Sequence, residues 1–578
     1  MNEQPKSIWK KPWKGPRALL LWFVLLTCSV FVVVFCMSWL LSSNSAHMID
    51  LVMLALVTAL ALALIVMLAS VFIDWLFCWR NLRRCLFGVA CLVTLVALFY
   101  AEEDLRGKWA WEKFKHEWEA KGEHFDLVSL APAPVPDDQN FAMAPVVAST
   151  YSQMLDRNGH QIRPRDTSIV NRLEMPIDAM VPGGLQAPAT GSWQAGVRTD
   201  LSAWQAYYRQ TAARTNLFPV APQPQSPAAD VLLALSQYGS TIDELRQAAR
   251  LRYSRFPLEY DADDPAAVLL PHLARFKGCA KVLQLRACAE LQLGQTEKAL
   301  DDVSLSLRMV EALRTEPILI SHLVRIAVVN ITLQPVWEGL ADQRWSDEQL
   351  RALDQELGKL DLLADYRLAM RGEQAFSAGT TDYLRRTRSL DGISGGSDNS
   401  PDAGRISRLI PSGWFYQNEL RCGRFMVKWY VPLADQEQRI ISPTSVRRAD
   451  AALASEISHR NPFNVIEGMF IPALSGAVRK FALGQVNVYL ARVACALERY
   501  RIAHGSYPES LALLAPQWME TIPHDVINGQ PLHYERTPDG RFLLYSVGWN
   551  ETDDGGKVAL GKNGLDIQQG DWVWQVPK

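Results

Sequence analysis

The sequence predicts a membrane-anchored, mainly α-helical protein with a small α+β domain at its C-terminal end. Three observations predict it. Three charge-free apolar runs fall before Tyr100, helical periodicity dominates the middle, and turn signals between strand-like segments mark the last hundred residues. The 578 residues are enough for two or three domains. The expected order is a cytoplasmic tail (1–17), three transmembrane helices (18–100), a juxtamembrane helix with a Pro-rich irregular region (101–227), a helical domain (228–475) and the α+β domain (476–578). A net charge of -2 provides no basic field for nucleic acid, which is excluded as a partner.

Residues 18–41 carry no charge and are long enough to cross a hydrocarbon core of about 30 Å. Asp50 precedes a second run over 51–71, which continues through Ile73 and Phe77, and a third covers 85–100. The first run is too long for a cleaved signal peptide, and two more follow it. Lys6, Lys10, Lys11, Lys14 and Arg17 flank the first run, the next loop has no Lys or Arg, and Arg80, Arg83 and Arg84 occupy the second loop. Basic flanks stay in the cytoplasm, so everything after Tyr100 is placed outside it. Arg106, Lys108, Lys113 and Lys115 pull the other way. They are interleaved with Glu102, Glu103, Asp104 and Glu112, and long domains cross largely regardless of charge.

Trp111, Phe114 and Trp118 recur at helical spacing within 102–123, predicting an amphipathic helix that leaves the membrane. Its tryptophans suit either the membrane interface or the soluble core. Pro132, Pro134 and Pro136 break it, and 218–227 reads as a stiff connector. Helices follow. Thr241 to Glu244 and Ser346 to Gln349 fit capping boxes. Val282, Leu285, Ala289 and Leu293 line one helix that Gly294 ends, and Leu300, Val303, Leu307 and Val310 line the next. This hairpin, 285–313, resembles one tetratricopeptide repeat unit; a stack needs about three, so no repeat array is expected. Residues 317–340 are apolar but hold His322, Arg325 and Pro335. An Arg at the centre of a span costs about 2.5–3.5 kcal/mol, so a buried helix is expected, with Arg325 paired to a carboxylate such as Glu316. The composition of 390–404 is that of a loop. Helical pattern resumes near Asp450, breaks near Pro462 and runs to about Ala503.

Of nine cysteines, Cys28, Cys36, Cys78, Cys85 and Cys91 lie in or beside the apolar runs. The pairs Cys279–Cys288 and Cys422–Cys495 are open to disulfide formation in an oxidising compartment, with free buried thiols as the alternative. Catalytic motifs fail on context. Gly392-Ile-Ser-Gly-Gly396 matches a nucleophile elbow but lacks the strand before and helix after it. His116-Glu117 opens like a zinc-protease helix, yet Ala120 stands where the second His is needed and His124 is two turns away. Neither a Walker loop nor a dinucleotide fingerprint is present.

Near the C-terminus, Leu483, Val486, Leu490, Val493, Leu497 and Tyr500 form one helix stripe that stops at Gly505. A turn at Asn528-Gly529 leads to a strand at 532–534, Pro538-Asp-Gly540 signals a hairpin, and 541–547 reads as the next strand. A long loop over 548–570 is expected after it. This order, with Tyr500, Gly505, Tyr507, Pro508, Pro523, Asp525, Gly529, Pro531, Tyr534, Gly548 and Trp572 in place, resembles the globular domain of type II secretion major pseudopilins over about residues 481–572. The resemblance implies a Ca²⁺ site in the acidic loop, formed by Asn550, Asp553 or Asp554, Asp566 and Asp571. Asn550 stands where that family usually has Asp, and Val526 where it has Pro. The loop is no EF-hand, since Gly561 occupies the position of the closing Glu. A solvated acidic turn is the alternative. Pseudopilins also have one N-terminal helix opened by a leader peptidase, so a three-span chain is not expected to polymerise as they do. The whole chain resembles large membrane-anchored bacterial proteins that join such modules to helical regions.

These readings point to a multi-pass protein of the bacterial inner membrane whose large C-terminal region is extracytoplasmic. Its expected role is a non-enzymatic scaffold that binds another envelope protein through its helical middle and holds its C-terminal module rigid; an exposed apolar groove on the helical region would support this and a fully polar surface would count against it. One alternative is an envelope enzyme without short motifs, using Glu316, His322 and Arg325. The other is a secretion or pilus accessory factor that docks pseudopilins.

Overall fold

The computed structural model describes residues 16–41, 48–77, 79–151, 172–178, 185–215, 217–388, 408–459, 461–561 and 564–575. The tail up to residue 15, most of the first loop, and the loop 390–404 with its Gly392 to Gly396 match lie outside the described residues. The fold is mainly helical with few strands, and the chain divides into two compact units, Met1–Glu102 and Glu103–Lys578.

The first unit holds α1 (Pro16–Leu41), α2 (Met48–Phe77) and the start of α3 (Trp79–Glu119). α1 packs along α2, where Ala59 and Ala63, one turn apart, are fully buried. Small residues let apolar helices approach closely. Among the described residues, two helical stretches are long and apolar enough to cross a membrane, Leu82–Glu119 and Leu319–Ala341. The second is 67% buried within the protein, as expected of a core helix carrying Arg325 and Pro335. The apolar stretches described in α1 and α2, Leu21–Met37 and Leu56–Ala69, are shorter.

In the second unit, α4 (Leu201–Arg214), α5 (Pro227–Leu235) and α6 (Gly239–Ala248) lead to the expected hairpin of α7 (Pro271–Gln292) and α8 (Thr296–Ala312), turned at Gly294 with φ 72°. α9 (Leu319–Ala341), α10 (Asp347–Gly358), α11 (Leu362–Thr387), α12 (Ser412–Phe425) and α13 (Pro443–Ile457) follow. β1 (Ala434–Asp435) and β2 (Ile440–Ile441) form a short antiparallel pair before α13. The capping box at Ser346 and Gln349 is present. The one expected at Thr241 is not: α6 begins two residues earlier, so Thr241 is buried inside it, and Glu244 pairs with Arg172 instead.

The axis of this unit is α14 (Leu474–His504), against which α9, α10 and α11 all pack. It is buried nearly all round, Phe481, Leu490, Val493 and Leu497 completely, which is the pattern of a central core helix. Gly484 touches Leu362 and Ile326, so a side chain there would hold neighbouring helices apart. α14 stops at Gly505, φ 80°, a left-handed C-terminal cap. β3 (His533–Arg536) and β4 (Phe542–Ser546) form the expected hairpin, and β7 (Trp572–Val573) pairs with the other edge of β4. The segment expected to be a long loop contains a second hairpin, β5 (Val558–Gly561) with β6 (Gly564–Gly570), in which Leu560 faces Leu565. One hydrophobic core runs from Trp193 through α9, α11 and α14 to Trp574. The helical middle and the C-terminal sheet therefore share their interior. Cys279, Cys288, Cys422 and Cys495 are buried and free.

Candidate functional site

Three places gather the residues singled out by sequence or by chemistry. The acidic C-terminal loop is closed largely through its own hydrogen bonds. Asp571 is fully buried and accepts the backbone N–H groups of Gly556 (2.7 Å) and Asp554 (3.1 Å). The Asp554 carboxylate accepts from Asn550 Nδ2 at 2.8 Å. Asp553 accepts from the Gly555 N–H and the Tyr545 hydroxyl, each at 2.9 Å, and these bonds hold its carboxyl below the usual range. Asp566 stands apart and accepts only the Gln568 N–H (3.0 Å) among the described residues. Among the described residues, no group of three or more His, Cys, Asp or Glu side chains is placed to hold a metal ion. Four of the five predicted ligands thus come together, and their oxygens are directed at backbone and side-chain donors.

Glu316, His322 and Arg325 lie inside the helical body, each at most 1% exposed. Glu316 Oε1 lies 2.8 Å from His272 Nε2, and its carbonyl 2.9 Å from His322 Nε2. Burial, aided by the Arg325 guanidinium, pushes His322 down to about 4. Arg325 does not pair with Glu316 as expected. α9 aims it at α8 and α11, where it donates to the Val310 carbonyl (2.9 Å), pairs with Asp365, and reaches Glu311 at 3.3 Å. Arg314 holds the other Asp365 oxygen at 3.1 Å. Buried charges need such partners. Arg325, Asp365, Arg314 and Glu311 thus form one paired network, with Glu316 and His322 buried beside it.

The third place was not singled out by the sequence. A cleft of about 250 Å³ opens where four segments meet, one of them giving only Leu127. Pro265, Ala266 and Val268 come from a turn whose Asp264 carboxylate caps the Ala266 N–H at 2.9 Å. Pro317, Leu319 and Ile320 come from the start of α9, and Glu373 and Phe376 from α11. Gly372 makes the cleft: a Cβ there would overlap the Pro317 carbonyl, so only glycine lets α11 lie this close to the start of α9. Ile320 is 49% exposed at the rim. Glu373 is the sole ionisable group lining the cleft, half-buried and without a partner among the described residues. Burial alone pushes its carboxyl up to about 7. An apolar concavity with one convergent polar group of shifted pKa is the usual form of a binding site.

A further cavity of about 270 Å³ lies between α9, α14 and the sheet, lined by Trp337, Trp574 and Phe542 with Arg198, Arg541 and Glu498. Its charges are already matched, Arg198 with Asp342 (2.7 Å), Arg541 with Asp539 (2.5 Å) and Glu498 with Arg501 (2.7 Å). Glu373 is unmatched among the described residues, and that difference selects its cleft. A sequence signal existed: Glu373 falls on the α11 stripe of Tyr366, Ala369, Met370, Ser377 and Thr380, all buried, where an acid is out of place. Comparison with family models, with curated proteins and with solved structures finds no match.

Proposed function

We propose that the chain is a non-enzymatic, membrane-anchored interaction protein whose helical body holds an apolar, Lys- or Arg-bearing segment of a partner protein in the cleft beside Glu373. The observation that carries this reading is the partnerless carboxyl in an apolar cleft. A cation entering with apolar neighbours would restore the charge that burial disfavours, so the cleft matches such a segment in both shape and charge. The membrane part is supported by the charge-free runs in α1, α2 and the start of α3 and by the basic residues that flank them; on this reading Glu103–Lys578 faces the extracytoplasmic side of a bacterial inner membrane. The long α14 followed by β3, β4 and β7 supports keeping the pseudopilin-like reading for the C-terminal segment. The closed packing of Glu316, His322 and Arg325 speaks against the enzyme alternative.

The test is photo-crosslinking from Ile320 of the full-length chain in native membranes. The expected result is a partner joined through an apolar segment containing Lys or Arg, and lost when Ala266→Trp fills the cleft. Crosslinks unchanged by Ala266→Trp would refute the reading.

A further inference from the structure

α3 presents two chemistries beyond residue 102. Trp111 and Phe114 are buried against Phe125, Leu420 and Val427. Leu105 and Trp109 are 71% and 67% exposed. Next to Trp109 lies a broad depression of about 580 Å³, to which α3 gives Lys113 and Trp118 and the end of α12 gives Arg424, with Lys428 just beyond. Its cations lie over aromatic rings: Lys113 Nζ is 5.2 Å from the Trp109 ring centre, Arg424 Cζ 5.9 Å from Phe114, and Lys428 Nζ 5.1 Å from Trp429; beside it Lys121 Nζ lies 4.2 Å from Trp118. Glu117 is the one acid lining the depression, and Lys121 already holds it at 2.8 Å. The surface is therefore basic, aromatic and short of free carboxylates.

Trp with Lys and Arg is the combination that settles at a lipid headgroup layer, and a basic surface is drawn to anionic headgroups. The chain brings this surface near such a layer. Trp109 follows Tyr100, the end of the third apolar run, by nine residues, about 14 Å at helical rise. A headgroup layer of about 6 Å and a Debye length of about 8 Å together extend that far.

We propose that this basic, aromatic face binds the anionic headgroups of the membrane that anchors the chain. The inference rests on the anchor reading given above. Its test uses the full-length chain in lipid nanodiscs of phosphatidylcholine, with or without phosphatidylglycerol, and lysine acylation by a soluble reagent read by mass spectrometry. Lys359, 59% exposed, is the internal reference. Lys113 and Lys428 should acylate about fivefold more slowly with phosphatidylglycerol present. The protection should fade in high salt and in Arg424→Glu, a change at an exposed position. Equal rates in the two kinds of disc, in a chain that has entered both, overturn this inference and leave the anchor standing. A chain that enters neither disc overturns the anchor reading and this inference with it.

Discussion

Replacing Glu373 by Gln removes one titration while keeping the side chain's shape. Burial lifts the Glu373 carboxyl from 4.5 to about 7. Between those values the folded chain keeps a proton that the unfolded chain has released, so unfolding free energy falls as pH rises through that window. The loss begins near pH 4.5 and is complete once pH has passed 7. At 1.36 kcal/mol per pH unit the ceiling is about 3 kcal/mol, and partial exposure at the cleft lowers the expected value to about 2 kcal/mol. A unit the length of Glu103–Lys578 changes by about 1 kcal/mol per degree near its midpoint. Glu373→Gln should therefore leave Tm unchanged near pH 4.5 and raise it by about 2 °C at pH 8. Measuring wild type and variant side by side in detergent cancels other groups that titrate nearby, notably Glu467, which burial also lifts to about 7. A difference that stays flat from pH 4.5 to 8 would refute the buried-acid reading. A variant that loses stability at high pH would mean that Glu373 is ionised and already holds a cation.

Gly372→Ala should cost about 1–3 kcal/mol by forcing α11 off the Pro317 carbonyl, seen as a lower Tm and as loss of the Ile320 crosslink. Arg325→Met should cost about 3 kcal/mol by leaving Asp365 to Arg314 alone, and adding Asp365→Leu should recover most of it; a single variant with unchanged Tm would contradict the network. Gly413→Ala should speed proteolysis within α12, because its Cβ would meet the Glu103 carbonyl and displace the Gly413 N–H from Asp104 Oδ1, 2.6 Å away. Added Ca²⁺ should leave Tm unchanged, whereas Asp571→Asn should lower stability by about 1–3 kcal/mol through its two backbone donors; a rise of several degrees with Ca²⁺ would reverse this account of the loop.

Much of the fold was legible because its signals are local. The α7–α8 hairpin announces itself through periodicity and Gly294, the Ser346 capping box through two residues three apart, and the β3–β4 hairpin through Pro538-Asp-Gly540. The helix at Leu319–Ala341 was separable from a span because one Arg outweighs its apolar length. Partners distant in sequence were not legible. Arg325 meets Asp365 forty residues on, and nothing near either predicts it over Glu316. The β5–β6 hairpin hid behind the Gly and Asp content of its surroundings, and Val558-Ala559-Leu560 does not alternate apolar with polar residues. The cleft needed four segments and a glycine contact that no pattern within α11 encodes. The juxtamembrane helix left its tryptophans open between core and interface, and the structure divides them: Trp111 enters the core and Trp109 does not.

The same physics separates the two ends of the second unit. In the C-terminal segment the buried acids are satisfied. Asp525 accepts the Ile527 N–H (2.9 Å), the Ser546 hydroxyl (2.9 Å) and the Val547 N–H (3.0 Å), and Asp571 accepts two backbone donors. Local geometry, turn chemistry and hydrogen bonding agree there, which is how a chain specifies a rigid structure. α11 and its contact with α12 break that rule. Glu373 faces the cleft, and the next residue, about 100° around the helix, is Gln374, buried without a partner among the described residues. On the α12 side, buried Glu467 has no partner for either carboxylate oxygen and Glu419 none for one, and burial pushes both carboxyls up. Unsatisfied buried polar groups cost stability, and in folded proteins they concentrate where function requires them. The last turn of α12 carries Arg424 into the basic, aromatic surface, so a run of unsatisfied buried groups lies between the cleft and that surface. α11 and α12 therefore carry the unsatisfied groups that suit a binding role, while Asp571 and its backbone donors clasp the acidic loop onto the small sheet.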